Sequence, residues 1–223
     1  ANMRIHQELF ESCHPGLDVP VVYMAGPEDL LVLAREFDAI IATLYLTAFW
    51  LKPLAELPHP PRLGYYIQDF EPDFFAEGSL EYQQAFDSYT AVPGMQLFTK
   101  TDWNRAILRQ KTGQEATVVG PSMNIQAHFP AGSYRYSSQI HIVAMVRPST
   151  PRRAPGLTMR VLKKLKERFH HQIAVTIFGV DQEDPAFLML ERDFAFDCRG
   201  ELYRETIREL FAVTDIFVDC SSF

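Results

Sequence analysis

The chain has few of the residues that characterise disulfide-rich, zinc-binding or membrane-spanning proteins. Its 223 residues include three cysteines, Cys13, Cys198 and Cys220, an odd number with no Cys-x-x-Cys spacing. This pattern argues against a disulfide framework and a zinc site, and it favours a reducing compartment. The longest apolar run, Ala39 to Leu51, is shorter than the roughly 20 residues that a membrane-spanning helix needs. We therefore expect a soluble, cytoplasmic chain.

Positive charge and nucleotide-binding glycine motifs are also scarce. Acidic residues outnumber basic ones, 28 to 21, so bulk attraction to nucleic acid is not expected. No P-loop, G-x-G-x-x-G or G-x-S-x-G motif is present, which leaves the common NTPase, dehydrogenase and hydrolase classes without their motifs. Hydrophobic residues make up 47% of the chain, enough for the core of one large domain or two small ones.

Strand-like and helix-like segments alternate along the chain. In the first half the pattern predicts strands at residues 20–24, 39–43, 62–68 and 96–99. Helices are predicted at 28–36, through residue 50, at 80–88 and at 102–111, the last with Asp102 as N-cap and Gly113 beyond its end. In the second half the predicted strands are 140–145, 173–178, 194–197 and 215–219, and the predicted helices are 157–169 and 202–212. This alternation predicts parallel sheets with helices on both faces.

Residues 119–139 are rich in proline, glycine and serine and contain the predicted domain boundary. Residues 1–138 are expected to form one α/β domain and residues 139–223 a second. The sequence starts without methionine and stops directly after a strand. We interpret it as a fragment in which both domains are incomplete.

Three arginines lie in one short loop between the strand at 140–145 and the following helix. They are Arg147, Arg152 and Arg153, and the helix opens at Pro155 or Gly156. A helix N-terminus presents free N–H groups and the positive end of the helix dipole. Guanidinium groups at that end would bind a di-anion such as a phosphate or diphosphate. A solvated basic loop is an equally compatible interpretation.

Other segments extend this pattern. A strand ends in Phe178-Gly179, the turn Gly200-Glu201-Leu202 precedes a helix, and DIFVDCSS occupies residues 215–222. In the first half, YYIQDFEPDFF starts at Tyr65 and VVGPSMNIQAHFP starts at Val118. In this order and spacing, these segments and the arginine loop resemble the retaining GT-B glycosyltransferases, particularly the branch with rhamnosyltransferases and O-antigen polysaccharide enzymes. One departure is Met145-Val146, which stands where that family has glycine.

The resemblance implies a fold and a set of site residues. The fold would be GT-B, with two Rossmann-like domains, the first on the acceptor side and the second on the donor side. Gln68 and Asp69 would be catalytic, since relatives carry a His-Asp pair at this place. The donor-binding residues would be Arg147, Arg152 and Arg153 at the diphosphate, Gly179, Gly200, Glu201 and Leu202 near the nucleotide, and Ser221 and Ser222 near the phosphate or sugar.

The implied reaction moves a hexose or deoxyhexose, such as rhamnose, from a nucleotide-diphosphate sugar to a growing surface polysaccharide. It would proceed with retention at the anomeric carbon, without metal or cofactor, and with a glycan or lipid-linked acceptor. A peripheral position on the cytoplasmic membrane face is left open. The family's two-glutamate motif would follow Phe223, and its Gly-rich loop after the first strand is missing. The fragment alone is therefore expected to be inactive.

Beside a regulatory flavodoxin-like domain, which would leave the arginines without a role, two alternatives remain at this point. If DFEPD were extended, Asp69, Glu71 and Asp73 would point the same way and could hold Mg²⁺ or Mn²⁺. Pro72 and the flanking phenylalanines favour a strand end that enters a turn instead. The second alternative is a non-catalytic module with two α/β lobes that binds a nucleotide or sugar phosphate.

Overall fold

The computed structural model describes Phe10 and residues 19–120 and 138–221. Residues 19–120 and 138–221 fall into two compact units, here called unit 1 and unit 2. Each unit contains a four-stranded, all-parallel sheet with helices between its strands, which confirms the α/β class. The domain boundary predicted between residues 138 and 139 adjoins the undescribed segment and stays a prediction.

Unit 1 has the strand order β1-β2-β3-β4. Its elements are α1 (Pro27–Leu33), β1 (Ala39–Ala42), α2 (Tyr45–Trp50), α3 (Lys52–Ala55), β2 (Arg62–Ile67), α4 (Leu80–Asp87), β3 (Gln96–Thr99), α5 (Asp102–Thr112) and β4 (Thr117–Val118). Short 3-10 turns cover Ala34–Glu36, Glu71–Phe74 and Ser88–Thr90. Because all four strands run the same way, the residues that follow them meet at one edge of the sheet.

The core of unit 1 follows from the two-residue period of its strands. Tyr65, Ile67 and Leu97 alternate onto one sheet face, where Leu51 and Leu108 from the helices pack against them. Helices α2 and α5 thus pack buried apolar residues against this face. On the opposite face Tyr66 stacks on Phe98 with ring centroids 5.4 Å apart, and Ile41 is 53% exposed.

Two predictions for unit 1 are wrong in detail. Residues 20–24 do not form a strand, and Val22 and Tyr23 are exposed, because no described strand pairs with them. Helix α5 is capped by Thr101 rather than Asp102, since the Thr101 hydroxyl accepts the Asn104 N–H at 3.1 Å. The helix end is as predicted, with Gly113 at a φ of 72°.

Unit 2 has the strand order β7-β6-β5-β8. Its elements are β5 (Ile140–Met145), α6 (Pro155–Phe169), β6 (Ile173–Phe178), α7 (Pro185–Leu188), β7 (Asp197–Cys198), α8 (Arg204–Ala212) and β8 (Ile216–Val218), with 3-10 turns at Pro151–Arg153 and His170–Gln172. One sheet face packs against Met159 and Leu162 of α6. On the other face, Phe178 meets Phe211 of α8 and Phe217 in edge and tilted ring contacts. Unit 2 therefore has helices on both faces.

The later elements of unit 2 are shorter than predicted. The strand expected at 194–197 is Asp197–Cys198, because Phe194 and Phe196 pack into the core instead of pairing with a strand. Helix α8 begins at Arg204, so Leu202 lies in the preceding loop. The strand expected at 215–219 covers Ile216–Val218.

Candidate anion-binding site

The topology of unit 2 places the arginine loop at a switch point of the sheet. From β5 the chain moves outward to β6 and β7, then returns to β8 on the other side of β5. The direction in which successive strands are added to the sheet therefore reverses between β5 and β8. In open α/β sheets, ligands bind in the crevice at such a point, outside the carboxyl ends of the strands. We call residues 146–154, 179–184, 199–203 and 219–221 the strand-end loops.

The arginine loop is built from consecutive tight turns. The Thr150 N–H donates to the Arg147 carbonyl at 3.0 Å, and the Arg153 N–H donates to the Thr150 carbonyl at 3.0 Å. Arg147 is exposed, whereas Arg152 and Arg153 are half-buried in the 3-10 turn. These turns hold the main chain of all three arginines in the short stretch that joins β5 to α6.

Helix α6 begins directly after the arginines. Ala154, its N-cap residue, has left-handed φ and ψ angles of 46° and 51°, unusual for a residue with a Cβ and directly before a proline. The Ala154 carbonyl accepts both the N–H of Thr158, at 2.9 Å, and its hydroxyl, at 3.1 Å. No side chain caps the helix, so the amides of Gly156 and Leu157 in its first turn have no side-chain capping partner.

Gly179 lies against the arginine loop. Its φ is +92°, and a Cβ at this position would lie 3.1 Å from Met145 Cγ, 3.2 Å from the Val146 carbonyl oxygen and 3.8 Å from Arg147 Cγ. The Gly179 N–H donates to the Gly200 carbonyl at 2.8 Å. Glycine is therefore required here by the left-handed backbone conformation and by the close approach of Met145 and Val146. The structure brings Arg147, Gly179 and Gly200 together, and their sharing a binding site stays a prediction.

Arg153 connects the arginine loop to the loop after β8. Its Nη1 donates to the Ser221 hydroxyl at 3.5 Å and lies 4.0 Å from Asp219 Oδ2. Ser221 in turn donates its hydroxyl and its N–H to Asp219 Oδ1. These two hydrogen bonds, with a smaller contribution from the Arg153 charge, lower the pKa of Asp219. A carboxylate thus faces the arginines across the switch point.

The remaining predicted donor-binding residues have simpler environments. Glu201 is exposed and Leu202 is half-buried, both in the loop before α8. Ser222 lies outside the described residues. The predicted donor-binding residues that the structure describes therefore belong to loops at one edge of the unit 2 sheet. Their roles in binding stay predictions.

Gln68 and Asp69, the predicted catalytic pair, directly follow β2 in unit 1. The Gln68 amide donates to the Thr43 carbonyl at 3.1 Å, and the Gln68 carbonyl accepts the Asn104 amide at 3.0 Å. Gln68 thus ties the end of β2 to the residue after β1 and to α5. Asp69 is half-buried beside it. The structure gives Gln68 a structural task, and the catalytic role of either residue stays a prediction.

Glu71 is the residue of DFEPD whose environment is most unusual. It is 3% exposed, its carboxylate accepts the Tyr45 N–H at 2.8 Å, and its own N–H donates to the Tyr89 hydroxyl at 3.1 Å. Burial raises the pKa of Glu71, an effect that the hydrogen bond from the Tyr45 N–H partly offsets. Tyr65 and Tyr89 are buried as well, and their own burial, with the Glu71 charge nearby, raises the pKa values of both hydroxyls.

This geometry contradicts the metal-binding interpretation of the three acidic residues. Residues 71–74 form a 3-10 turn, so Asp69, Glu71 and Asp73 do not alternate along an extended strand. Glu71 points inward to the first turn of α2. Within residues 19–120 and 138–221, no three His, Cys, Asp or Glu side chains are grouped so that they could hold a metal ion.

Sequence reasoning missed the importance of Asp219 and the burial of Glu71. Asp219 could have been found because it directly follows a strand, although its position opposite Arg153 depends on β8 pairing with β5. Glu71 had a weaker signal, namely its place between Phe70 and Pro72, which are both buried.

Comparison with solved structures assigns the fold. The chain resembles the crystal structure of TarM, with a TM-score of 0.63 and 12% sequence identity over 87% of this chain and 39% of the TarM chain. A likeness to the glycosylation-associated protein Gap123 complex from Streptococcus agalactiae has a TM-score of 0.49 at 12% identity, covering 88% of this chain and 41% of that one. The chain therefore shares its α/β fold with the matched part of TarM. The chain spans well under half of TarM.

Sequence comparison adds no assignment. No protein-family model and no curated protein matches the chain.

Cys198 and Cys220 are free thiols. Among the helices of the described ranges, none combines the length and apolarity needed to cross a membrane.

Proposed function

We propose that unit 2 binds the diphosphate of a nucleotide sugar and that the chain belongs to a glycosyltransferase. The observation that carries this proposal is the position of the arginine loop, at the switch point of a parallel sheet and directly before the N-terminus of α6. Such a place combines a crevice, free amides and guanidinium groups. The fold likeness to TarM, a glycosyltransferase, supports the same class.

The chemistry of sugar transfer matches these groups. As the bond to the anomeric carbon breaks, negative charge grows on the leaving nucleoside diphosphate. Donors already in place must stabilise that charge, and this is often the largest contribution to such a reaction. The planar guanidinium groups of Arg147, Arg152 and Arg153 can each donate paired hydrogen bonds to phosphate oxygens. The amides of Gly156 and Leu157 add donors at the helix terminus.

The finer statement of the function is our proposal from the family resemblance. The enzyme would move a hexose or deoxyhexose, with rhamnose as one candidate, with retention and without metal. The acceptor would be a growing surface glycan or a lipid-linked precursor on the cytoplasmic side. Gln68 and Asp69 would act at the sugar or acceptor. A non-catalytic nucleotide-binding module would use the same arginine loop but would transfer no sugar.

Replacing Arg147 and Arg152 together by alanine tests the donor site. Each lost charge-assisted hydrogen bond contributes about 1.5–3 kcal/mol, so nucleoside diphosphate should bind at least tenfold more weakly by calorimetry. The melting temperature without ligand should change little, because Arg147 is exposed and Arg152 is only half-buried.

Arg168→Ala is the matched control. Arg168 lies in the last turn of α6, about 20 Å along the axis from its first residue, so its loss should not alter binding. Equal affinity of the wild-type protein and the double variant would remove the arginine loop from the proposal. Transfer assays on the complete gene product with a panel of nucleotide sugars then separate an enzyme from a binding module.

A further inference from the structure

A carboxylate inside a site for anions calls for a physical explanation. Asp219 Oδ2 lies 4.0 Å from Arg153 Nη1, and the side chains of Arg153 and Asp219 are 35% and 50% exposed. The Asp219 side chain is fixed by two hydrogen bonds from Ser221. Because both residues are partly exposed, they form a weak ion pair that contributes little to stability. Because stability does not explain this ion pair, we consider its effect on ligands that bind at the switch point.

We propose that Asp219 selects ligands by charge, because its repulsion reduces the binding free energy of an anion at the arginine loop in proportion to the negative charge that the anion carries. This inference rests on the proposed diphosphate site. A fixed negative charge repels an anion with an energy that grows with the charge of the anion. A lost hydrogen bond, in contrast, reduces the binding free energy of all anionic ligands by a similar amount. Asp219 remains ionised near neutral pH, because its pKa is lowered.

The consequence concerns which phosphate compounds the site accepts. A nucleotide sugar carries two negative charges, because its diphosphate is esterified at both ends. A free nucleoside diphosphate carries a third charge near neutral pH, and a triphosphate carries a fourth, since the terminal phosphate loses its second proton at about pH 6. Asp219 would therefore favour the donor substrate over its own leaving group and over nucleoside triphosphates.

A ladder of simple anions tests this without knowledge of the base or sugar. Inorganic phosphate, pyrophosphate and tripolyphosphate carry roughly two, three and four charges at pH 7.5. The full chain and its Asp219→Asn variant are titrated with each by calorimetry at one low salt concentration. The variant should gain affinity by about two- to threefold for each ligand charge, so that its gain is largest for tripolyphosphate.

Two control variants isolate the charge. Ser221→Ala removes the hydroxyl's two hydrogen bonds, with Arg153 and Asp219, but keeps the Asp219 carboxylate. Because Ser221 is itself a predicted donor-binding residue, this variant should change all three affinities by a common factor. Asp193→Asn removes an equal charge from an exposed pair with Lys163, and it should leave every affinity unchanged. Asp219→Ser provides a second neutral replacement if the asparagine variant does not fold.

The outcomes separate this inference from the proposed function. If the wild-type chain binds neither pyrophosphate nor tripolyphosphate, the anion site itself is wrong and both proposals fail. If the wild type binds but Asp219→Asn changes all three affinities by the same factor, only the charge selection is overturned. Charge selection is also overturned if Ser221→Ala shows the same charge-dependent gain in affinity that is expected of Asp219→Asn.

Discussion

The buried carboxyl of Glu71 makes the stability of unit 1 depend on pH in a direction that can be measured. Glu71 is 3% exposed and accepts the Tyr45 N–H at 2.8 Å. Its pKa is raised above the ordinary value of 4.5, chiefly by burial. A raised pKa in the folded state means that folding favours the protonated form. This contribution to stability is complete below the unfolded-state pKa and is lost as pH rises through the folded-state pKa.

Glu71→Gln removes the charge and keeps an oxygen that can accept the Tyr45 N–H. Each unit by which the pKa is raised costs the wild type about 1.4 kcal/mol at neutral pH. The variant should therefore match or exceed wild-type stability at pH 7.5, and its advantage should disappear as pH falls towards 4.5. Glu71→Ala removes the acceptor as well and leaves the Tyr45 amide buried without a partner. It should lose about 2–4 kcal/mol.

Tryptophan fluorescence during urea unfolding can follow unit 1 by itself. Both tryptophans of the chain, Trp50 and Trp103, belong to that unit. Free energies of unfolding are measured between pH 4.5 and 8 for the wild type, both Glu71 variants and Glu81→Gln, an exposed glutamate on α4. The reasoning is refuted if the difference between Glu71→Gln and wild type does not vary with pH. It is also refuted if glutamine destabilises the unit as much as alanine does.

Two further predictions concern the strand-end loops, and both are checked by thermal unfolding followed by far-UV circular dichroism. Gly179→Ala combines a left-handed backbone with a Cβ at 3.1 Å from Met145 Cγ, so it should cost about 2–4 kcal/mol. Gly200→Ala, whose Cβ would meet nothing within 4 Å, should cost only about 1–2 kcal/mol, and equal losses would contradict the packing argument. Ala154 has a φ of 46°, a conformation that costs a residue with a Cβ about 1–2 kcal/mol. Ala154→Gly removes this cost, but the greater flexibility of glycine in the unfolded chain offsets about 0.5–1 kcal/mol of the gain. The unit should become slightly more stable, and a lower melting temperature would show that Ala154 is not strained.

Elements with a clear period were predictable from sequence. The strands Ile140–Met145, Ile173–Phe178 and Gln96–Thr99 agree with prediction at both ends, because apolar runs bounded by turn residues leave little choice of boundary. The strand predicted at residues 20–24 was wrong although Val21 and Val22 favour a strand, because a strand also needs a neighbouring strand and composition does not reveal whether one is present. A similar difficulty affected Phe196, which packs against the core of unit 2 directly before β7 begins at Asp197.

The candidate site was predictable in its arginines and glycines but not in its assembly. Arg147, Arg153 and Gly179 were identifiable because each residue type has a known use near phosphate or at a tight turn. The pairing of β8 with β5, which brings Asp219 opposite Arg153, joins segments about 70 residues apart and depends on the whole sheet. Local sequence pattern carries no information about such a pairing.

Two of the hydrogen bonds at the strand-end loops are formed by main-chain atoms alone. Val146 N–H donates to the Phe178 carbonyl and Gly179 N–H to the Gly200 carbonyl, each at 2.8 Å. Any amino acid except proline supplies these amides, so most side chains in this region can be exchanged over evolution without changing the outline of the loops. Conservation of loop shape therefore does not require conservation of sequence, and the architecture shared with TarM at 12% identity is an example of such a separation.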